Sequence, residues 1–65
     1  MVHRSLLQKI ELELERPGAI ETYADAIRIF EGFGLDRSLY YPALEQLGYR
    51  VVWTGLSEED AKVRK

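Results

Sequence analysis

Residues 49–54 read Tyr-Arg-Val-Val-Trp-Thr and lie between Gly48 and Gly55. β-Branched and aromatic side chains favour strands, and glycine often bounds them. The stretch is therefore predicted to be a β-strand. Because the backbone N–H and C=O groups of a strand need partners, the chain must also supply a second strand.

The best strand partner in the sequence is residues 8–15, where Ile10, Leu12 and Leu14 alternate with charged residues. A period of two is typical of a strand with one buried face. The same stretch also suits a helix, because Leu6, Ile10 and Leu14 would share one helical face and most of its residues are good helix formers. The need of 49–54 for a partner favours the strand.

Two helices are predicted between these strands, over residues 19–31 and 38–47. Glycines end both helices, at Gly34 and at Gly48, and Ser38 is a candidate N-cap. The sequence thus predicts an α+β fold in the order β-α-α-β, with a two-stranded antiparallel sheet packed on two helices and extended by dimerisation. The alternative is a three-helix, helix-turn-helix-like fold with one strand.

A chain of 65 residues is enough for one domain, which we place at residues 1–56. Residues 57–65 carry acidic residues first and basic residues last, an order that favours a charged helical tail. A core this small is marginal. Self-association as a homodimer, or membership of a larger assembly, is therefore expected.

Few enzymatic or metal-binding functions suit this composition. The chain has one histidine, His3, and no cysteine, and it has no glycine-rich phosphate loop. We therefore predict no catalytic residues, no metal site and no cofactor. The net charge of −2 does not favour nucleic acid as a partner. No apolar run approaches the length of a membrane span, so a cytoplasmic protein is expected.

The aromatic residues carry the main functional signal. All seven lie between Tyr23 and Trp53, more than one small core readily hides. Adjacent helical residues cannot both face one core, so Tyr40 or Tyr41 should be exposed. The predicted partner-binding residues are Arg37, Tyr40, Tyr41, Arg50 and Trp53. They indicate a small non-enzymatic protein-interaction module, an accessory, regulatory or inhibitory subunit that docks through an aromatic surface.

Two stretches resemble known families. Residues 33–44, Phe-Gly-Leu-Asp-Arg-Ser-Leu-Tyr-Tyr-Pro-Ala-Leu, resemble the helix-turn-helix of PadR-type winged-helix regulators. That resemblance implies a DNA-binding regulator in which Arg37, Ser38 and Tyr40 approach DNA, although residues 38–47 contain no lysine or arginine. Residues 10–31 and 43–52 resemble the opening and the close of ACT regulatory domains. This second resemblance implies a small-ligand sensor with an amino-acid site near Pro17.

Overall fold

The chain folds as three α-helices followed by a two-stranded antiparallel sheet, in a computed structural model that describes residues 3–65. In chain order the elements are α1 (Arg4–Leu14), α2 (Tyr23–Gly32), a 3₁₀ turn (Arg37–Leu39), α3 (Tyr40–Gln46), β1 (Arg50–Trp53), a second 3₁₀ turn (Glu58–Asp60) and β2 (Ala61–Arg64). The predicted α+β class and its two-stranded antiparallel sheet are confirmed.

Residues 8–15 are not a strand, and this part of the prediction is wrong, because all but the last lie in α1. The helix buries Ile10 and Leu14, while Leu12, the apolar residue off that face, is 69% exposed. Most residues of the segment are good helix formers. Since β1 finds its partner elsewhere, nothing offsets the loss of helical hydrogen bonds that an extended conformation would cause.

The strand predicted at 49–54 is confirmed as β1, and its partner is β2. Val51 lies opposite Val63, and Trp53 lies opposite Ala61. β1 is paired, as its backbone N–H and C=O groups require, but its partner is the segment that follows it in the chain and not residues 8–15. A seven-residue connection, 54–60, joins the two strands, and the Thr54 N–H donates to the Asp60 carbonyl at 3.1 Å.

The helix expected over 57–65 is replaced by one 3₁₀ turn and by β2. The order of charges suits a helix, but Ala61 and Val63 are the apolar residues of the segment and both are buried. A strand puts them on one face, because side chains alternate with period two. Burial of these two side chains therefore decides the conformation.

β2 also contacts the helical part of the chain. One contact is a hydrogen bond on the edge of β2 that does not pair with β1, and another is an ion pair of the residue that follows the strand. The Val63 N–H donates to the Glu21 carbonyl at 3.2 Å, ahead of α2. Beyond β2, the Lys65 Nζ lies 3.2 Å from an Oε2 of Glu15 and 5.2 Å from the centre of the Tyr49 ring. The chain end thus bridges α1 and the start of the hairpin.

The helices predicted over 19–31 and 38–47 are confirmed as α2 and α3, with the predicted glycines at their ends. Gly34 and Gly48 have φ of +72° and +86°, a region that costs side-chain-bearing residues energy. The closing hydrogen bonds run from Leu35 N–H to Phe30 C=O (3.0 Å) and from Tyr49 N–H to Leu44 C=O (2.8 Å). Both glycines form Schellman ends that turn the chain back to the core.

Both helices begin later than predicted. The Thr22 side chain accepts from the Asp25 N–H at 3.4 Å, and an Asp25 carboxylate oxygen accepts from the Thr22 N–H at 3.2 Å. This capping box fixes the start of α2 at Tyr23. Ser38 is not the cap of α3, because it lies in the 3₁₀ turn that precedes this helix and that Asp36 caps by accepting from the Ser38 N–H at 3.2 Å.

We expect Asp25→Ala to lower the free energy of unfolding by about 1 to 2 kcal/mol at pH 7, because its carboxylate accepts two backbone N–H groups. These bonds hold the pKa of Asp25 below its usual range. The contribution should therefore be lost as the pH falls from the ordinary carboxyl pKa through this lowered value. Urea unfolding at pH 7 and at acid pH measures both effects. Arg28→Ala, which removes only the exposed partner of the same carboxylate, should cost under about 0.5 kcal/mol.

One apolar core joins all three helices to the sheet. Its buried members are Ile10, Leu14, Tyr23, Ala26, Ile27, Phe30, Leu35, Tyr40, Ala43, Leu44, Tyr49, Ala61 and Val63. Among residues 3–65, every buried residue is apolar or aromatic. None of the helices in that range has both the length and the apolar character needed to cross a bilayer.

Candidate protein-interaction surface

Three aromatic rings from three different elements meet at one place on the surface. Tyr23 begins α2, Tyr41 lies in the first turn of α3, and Trp53 ends β1. The Tyr23 ring centre lies 5.2 Å from that of Tyr41 and 5.8 Å from that of Trp53. We call these three residues the aromatic patch.

The two outer rings of the aromatic patch are partly open to solvent. Tyr41 is 40% exposed and Trp53 is 46% exposed, whereas Tyr23 beneath them is buried at 5%. The indole Nε1–H of Trp53 donates to the hydroxyl oxygen of Tyr41 at 2.9 Å. Aromatic pairs in tilted or edge geometry contribute about 0.5 to 1.5 kcal/mol each, so the rings are held in place before any partner arrives.

Tyr23 supports the patch in its neutral form. Burial raises the pKa of the Tyr23 hydroxyl to about 12, and the neighbouring Tyr41 hydroxyl adds to the rise. Glu58 acts in the same direction and Arg37 in the opposite one. At neutral pH the ring therefore stays uncharged, and the patch keeps an apolar floor.

An exposed ion pair lies beside the aromatic patch. A guanidinium nitrogen of Arg37 lies 3.0 Å from Oε2 of Glu58, and it joins the two 3₁₀ turns. The turn that carries Glu58 packs against α2, the helix that begins at Tyr23, and the charges of both residues influence the pKa of the Tyr23 hydroxyl. Such a surface pair adds at most about 1 kcal/mol to stability, so it is free to exchange partners.

The structure brings together three of the five residues predicted to bind a partner. Tyr41 and Trp53 form the exposed part of the aromatic patch, and Arg37 lies beside it. Tyr40 is turned into the core, 2% exposed, and its ring stacks on Phe30 at 4.9 Å. Arg50 lies on the opposite face of the hairpin from Trp53, because side chains three apart on a strand point to opposite sides.

One residue of the aromatic patch, Tyr23, is not among the residues predicted to bind a partner, and no spacing in the sequence links it to Tyr41 or Trp53. Leu56 is another exposed apolar residue that the prediction did not include. It is fully exposed in the connection between the strands, three residues beyond Trp53.

The structure gives less support to the two sites implied by the family resemblances, an amino-acid site near Pro17 and a DNA-binding surface around Arg37. A shallow depression of about 340 Å³ is lined by Glu13, Arg16, Pro17, Gly18, Ala19 and Ile29. It coincides with the turn for which the ACT resemblance implied a ligand, but a helix replaces the strand that resemblance requires before the turn. Arg37, implied as a DNA contact, is engaged by Glu58. Within the described range, no three His, Cys, Asp or Glu side chains are placed to bind a metal ion together.

Comparison with known proteins adds no relative. No protein-family model, no curated protein and no solved structure matches this chain.

Proposed function

We propose that this protein is a non-enzymatic protein-interaction module, an accessory, regulatory or inhibitory subunit whose partner docks on the aromatic patch. The observation that supports the proposal is the exposed Tyr41–Trp53 pair held over the buried Tyr23 ring. Tyr41 and Trp53 remain 40% and 46% exposed although the chain has an apolar core. Tyrosine and tryptophan also dominate the binding energy of protein interfaces.

Preorganisation makes this surface suitable for a partner. The indole–hydroxyl hydrogen bond and the contacts with Tyr23 already fix both exposed rings. A partner therefore gains their contact area without the entropy cost of ordering them, which is about 0.5 to 1.5 kcal/mol for each immobilised side chain. The Arg37–Glu58 pair supplies a polar rim, the usual surround of such a centre.

The proposal also includes self-association of the chain and a cytoplasmic location. A second copy is one partner that the patch could accept, and a small core gains most from such an association. The absence of cysteine agrees with a reducing, cytoplasmic setting. Sedimentation of the purified chain decides between a homodimer and a monomer that awaits a different protein.

We expect Tyr41→Ala to weaken partner binding at least about tenfold while the fold survives, because the ring is exposed and contributes only about 1 kcal/mol of aromatic contact. The tagged chain is recovered from the cells that encode it after nuclease treatment. The recovered complex is weighed by light scattering, and its affinity is then measured with purified components. Circular dichroism verifies the fold of each variant.

Leu12→Ala is the matched control, because Leu12 is an exposed apolar residue on α1, outside the aromatic patch. Its partner binding should equal that of the unchanged chain. If Tyr41→Ala and Leu12→Ala retain the partner equally well, the aromatic patch is not the docking surface and the proposal is wrong.

A further inference from the structure

The outer face of the hairpin gathers positive charge. Arg50 lies directly opposite Arg64, and Val52 lies directly opposite Lys62. All four side chains are exposed and share one face, because positions alternate along each strand. The other face carries the buried residues of β2. We call these four residues the basic face.

The three cations of the basic face, Arg50, Lys62 and Arg64, form no ion pair with a carboxylate of residues 3–65. Four other cations, Arg16, Arg28, Arg37 and Lys65, each lie within 4.0 Å of a carboxylate. Like charges directly opposite in a sheet are destabilising. Three unpaired cations on one small face, in a chain of net charge −2, indicate a site for an acidic partner.

The edge of β1 next to this face is also unpaired. The Val63 N–H bonds to Glu21, away from β1, so Val63 and Val51 do not exchange hydrogen bonds. Because bonded and non-bonded pairs alternate in an antiparallel ladder, the N–H and C=O groups of Val51 and Trp53 point outward. Between residues 3 and 65 these outward groups have no hydrogen-bonding partner.

We propose that β1 accepts an extended, acidic segment of a partner protein as a third strand. Alternate residues of that segment would be acidic and would lie beside Arg50 on the basic face, within reach of Lys62 and Arg64. The intervening residues would be apolar and would lie beside Val51 and Trp53. Main-chain bonds supply affinity in strand addition, and alternate side chains supply specificity. The inference rests on the proposed function, since Trp53 belongs to the aromatic patch and its main chain also forms part of the open edge of β1.

Other occupants fit these observations less well. If β1 paired with β1 of a second copy, six unpaired cations would gather on one continuous sheet face. A nucleic acid would neutralise the cations, but it would leave the outward N–H and C=O groups of Val51 and Trp53 unused, and it would place Val52 against phosphate. An acidic strand satisfies the charges, the open edge and the apolar residue together.

The probe is a fluorescein-labelled peptide, Thr-Glu-Val-Glu-Val-Glu-Thr with blocked ends, and its control carries Lys in place of Glu. Binding is measured by fluorescence anisotropy on the full chain. Amide exchange followed by NMR reports the edge itself. We expect the acidic peptide to bind at least about tenfold more tightly than the lysine peptide and to slow exchange of the Val51 and Trp53 amides.

Arg50→Glu should weaken peptide binding at least about tenfold. The variant should remain folded, because it replaces a like-charged pair with Arg64 by an opposite-charged one. Lys9→Glu, the same charge change at an exposed cation of α1, should leave peptide binding unchanged. Equal binding by both peptides, unprotected Val51 and Trp53 amides, no binding up to about 1 mM, or tighter binding of an oligo-dT strand would overturn the inference.

The two proposals can fail separately. Tyr41 lies in α3 and contributes no main-chain group to the edge of β1, whereas Arg50 lies outside the aromatic patch. A native partner that is lost with Tyr41→Ala and retained with Arg50→Glu supports the aromatic patch and overturns strand addition. A native partner retained with Tyr41→Ala and lost with Arg50→Glu does the reverse.

Discussion

Phe30→Ala is expected to lower the free energy of unfolding by about 3 to 5 kcal/mol, a large part of the total stability of this chain. Phe30 is completely buried in α2, and its ring stacks on Tyr40 at 4.9 Å. Removing a buried phenylalanine ring costs about 3 to 5 kcal/mol, because the lost burial is joined by a cavity. A domain of this size has a total stability of only about 3 to 10 kcal/mol. Urea unfolding followed by far-UV circular dichroism measures the loss.

Two companion variants separate this effect from a general sensitivity to substitution. Phe30→Leu keeps an apolar side chain in the core but loses the stacked ring, so its stability should lie between that of the unchanged chain and that of Phe30→Ala. Leu12→Ala, at a 69% exposed position, should remain within about 0.5 kcal/mol of the unchanged chain. Similar losses for Phe30→Ala and Leu12→Ala would contradict the assignment of Phe30 to the core.

Stability is expected to fall between pH 10 and pH 12 because of Tyr23. Its hydroxyl has a pKa of about 12 in the folded chain, raised chiefly by burial, against an ordinary value near 10. The folded state therefore keeps this proton at pH values where the unfolded state releases it. The contribution is fully present below pH 10 and is lost as the pH rises through 12. The whole difference would correspond to roughly 3 kcal/mol for a fully buried hydroxyl, and solvent screening reduces it to about 1 to 2 kcal/mol for this partly buried one.

Comparison with Tyr23→Phe isolates this contribution, because the variant keeps the ring and removes the ionisable hydroxyl. At pH 7 the two chains should have similar stability, since the Tyr23 hydroxyl forms no hydrogen bond with residues 3–65 and reaches solvent, so its removal leaves no buried polar group without a partner. Between pH 9 and pH 11 the unchanged chain should lose more stability than the variant, by about 0.5 to 1 kcal/mol after solvent screening. Urea titrations at the two pH values measure this difference. Parallel losses in both chains would show that Tyr23 ionises freely in the folded state.

The candidate surface was partly predictable from local rules. Tyr40 and Tyr41 are neighbours in one helical turn, so only one of them can face the core, and the structure buries Tyr40 and exposes Tyr41. The sequence could not decide which, because the side that faces the core depends on where α3 begins and on how it packs. It also could not unite Tyr41 with Trp53, since that contact depends on how α3 and β1 pack over Tyr23.

The sequence by itself determined the elements whose signals are local. The glycines after α2 and α3 and the β-branched run of β1 each impose a conformation through the residue's own backbone or side chain. Only the tertiary structure decided between helix and strand for residues 8–15 and 57–65, because both patterns are present in those residues. Burial of Ile10 and Leu14 on one helical face, and of Ala61 and Val63 on one strand face, settled that choice. Pairing and burial join residues far apart in the chain, and their energies exceed the small differences in local propensity.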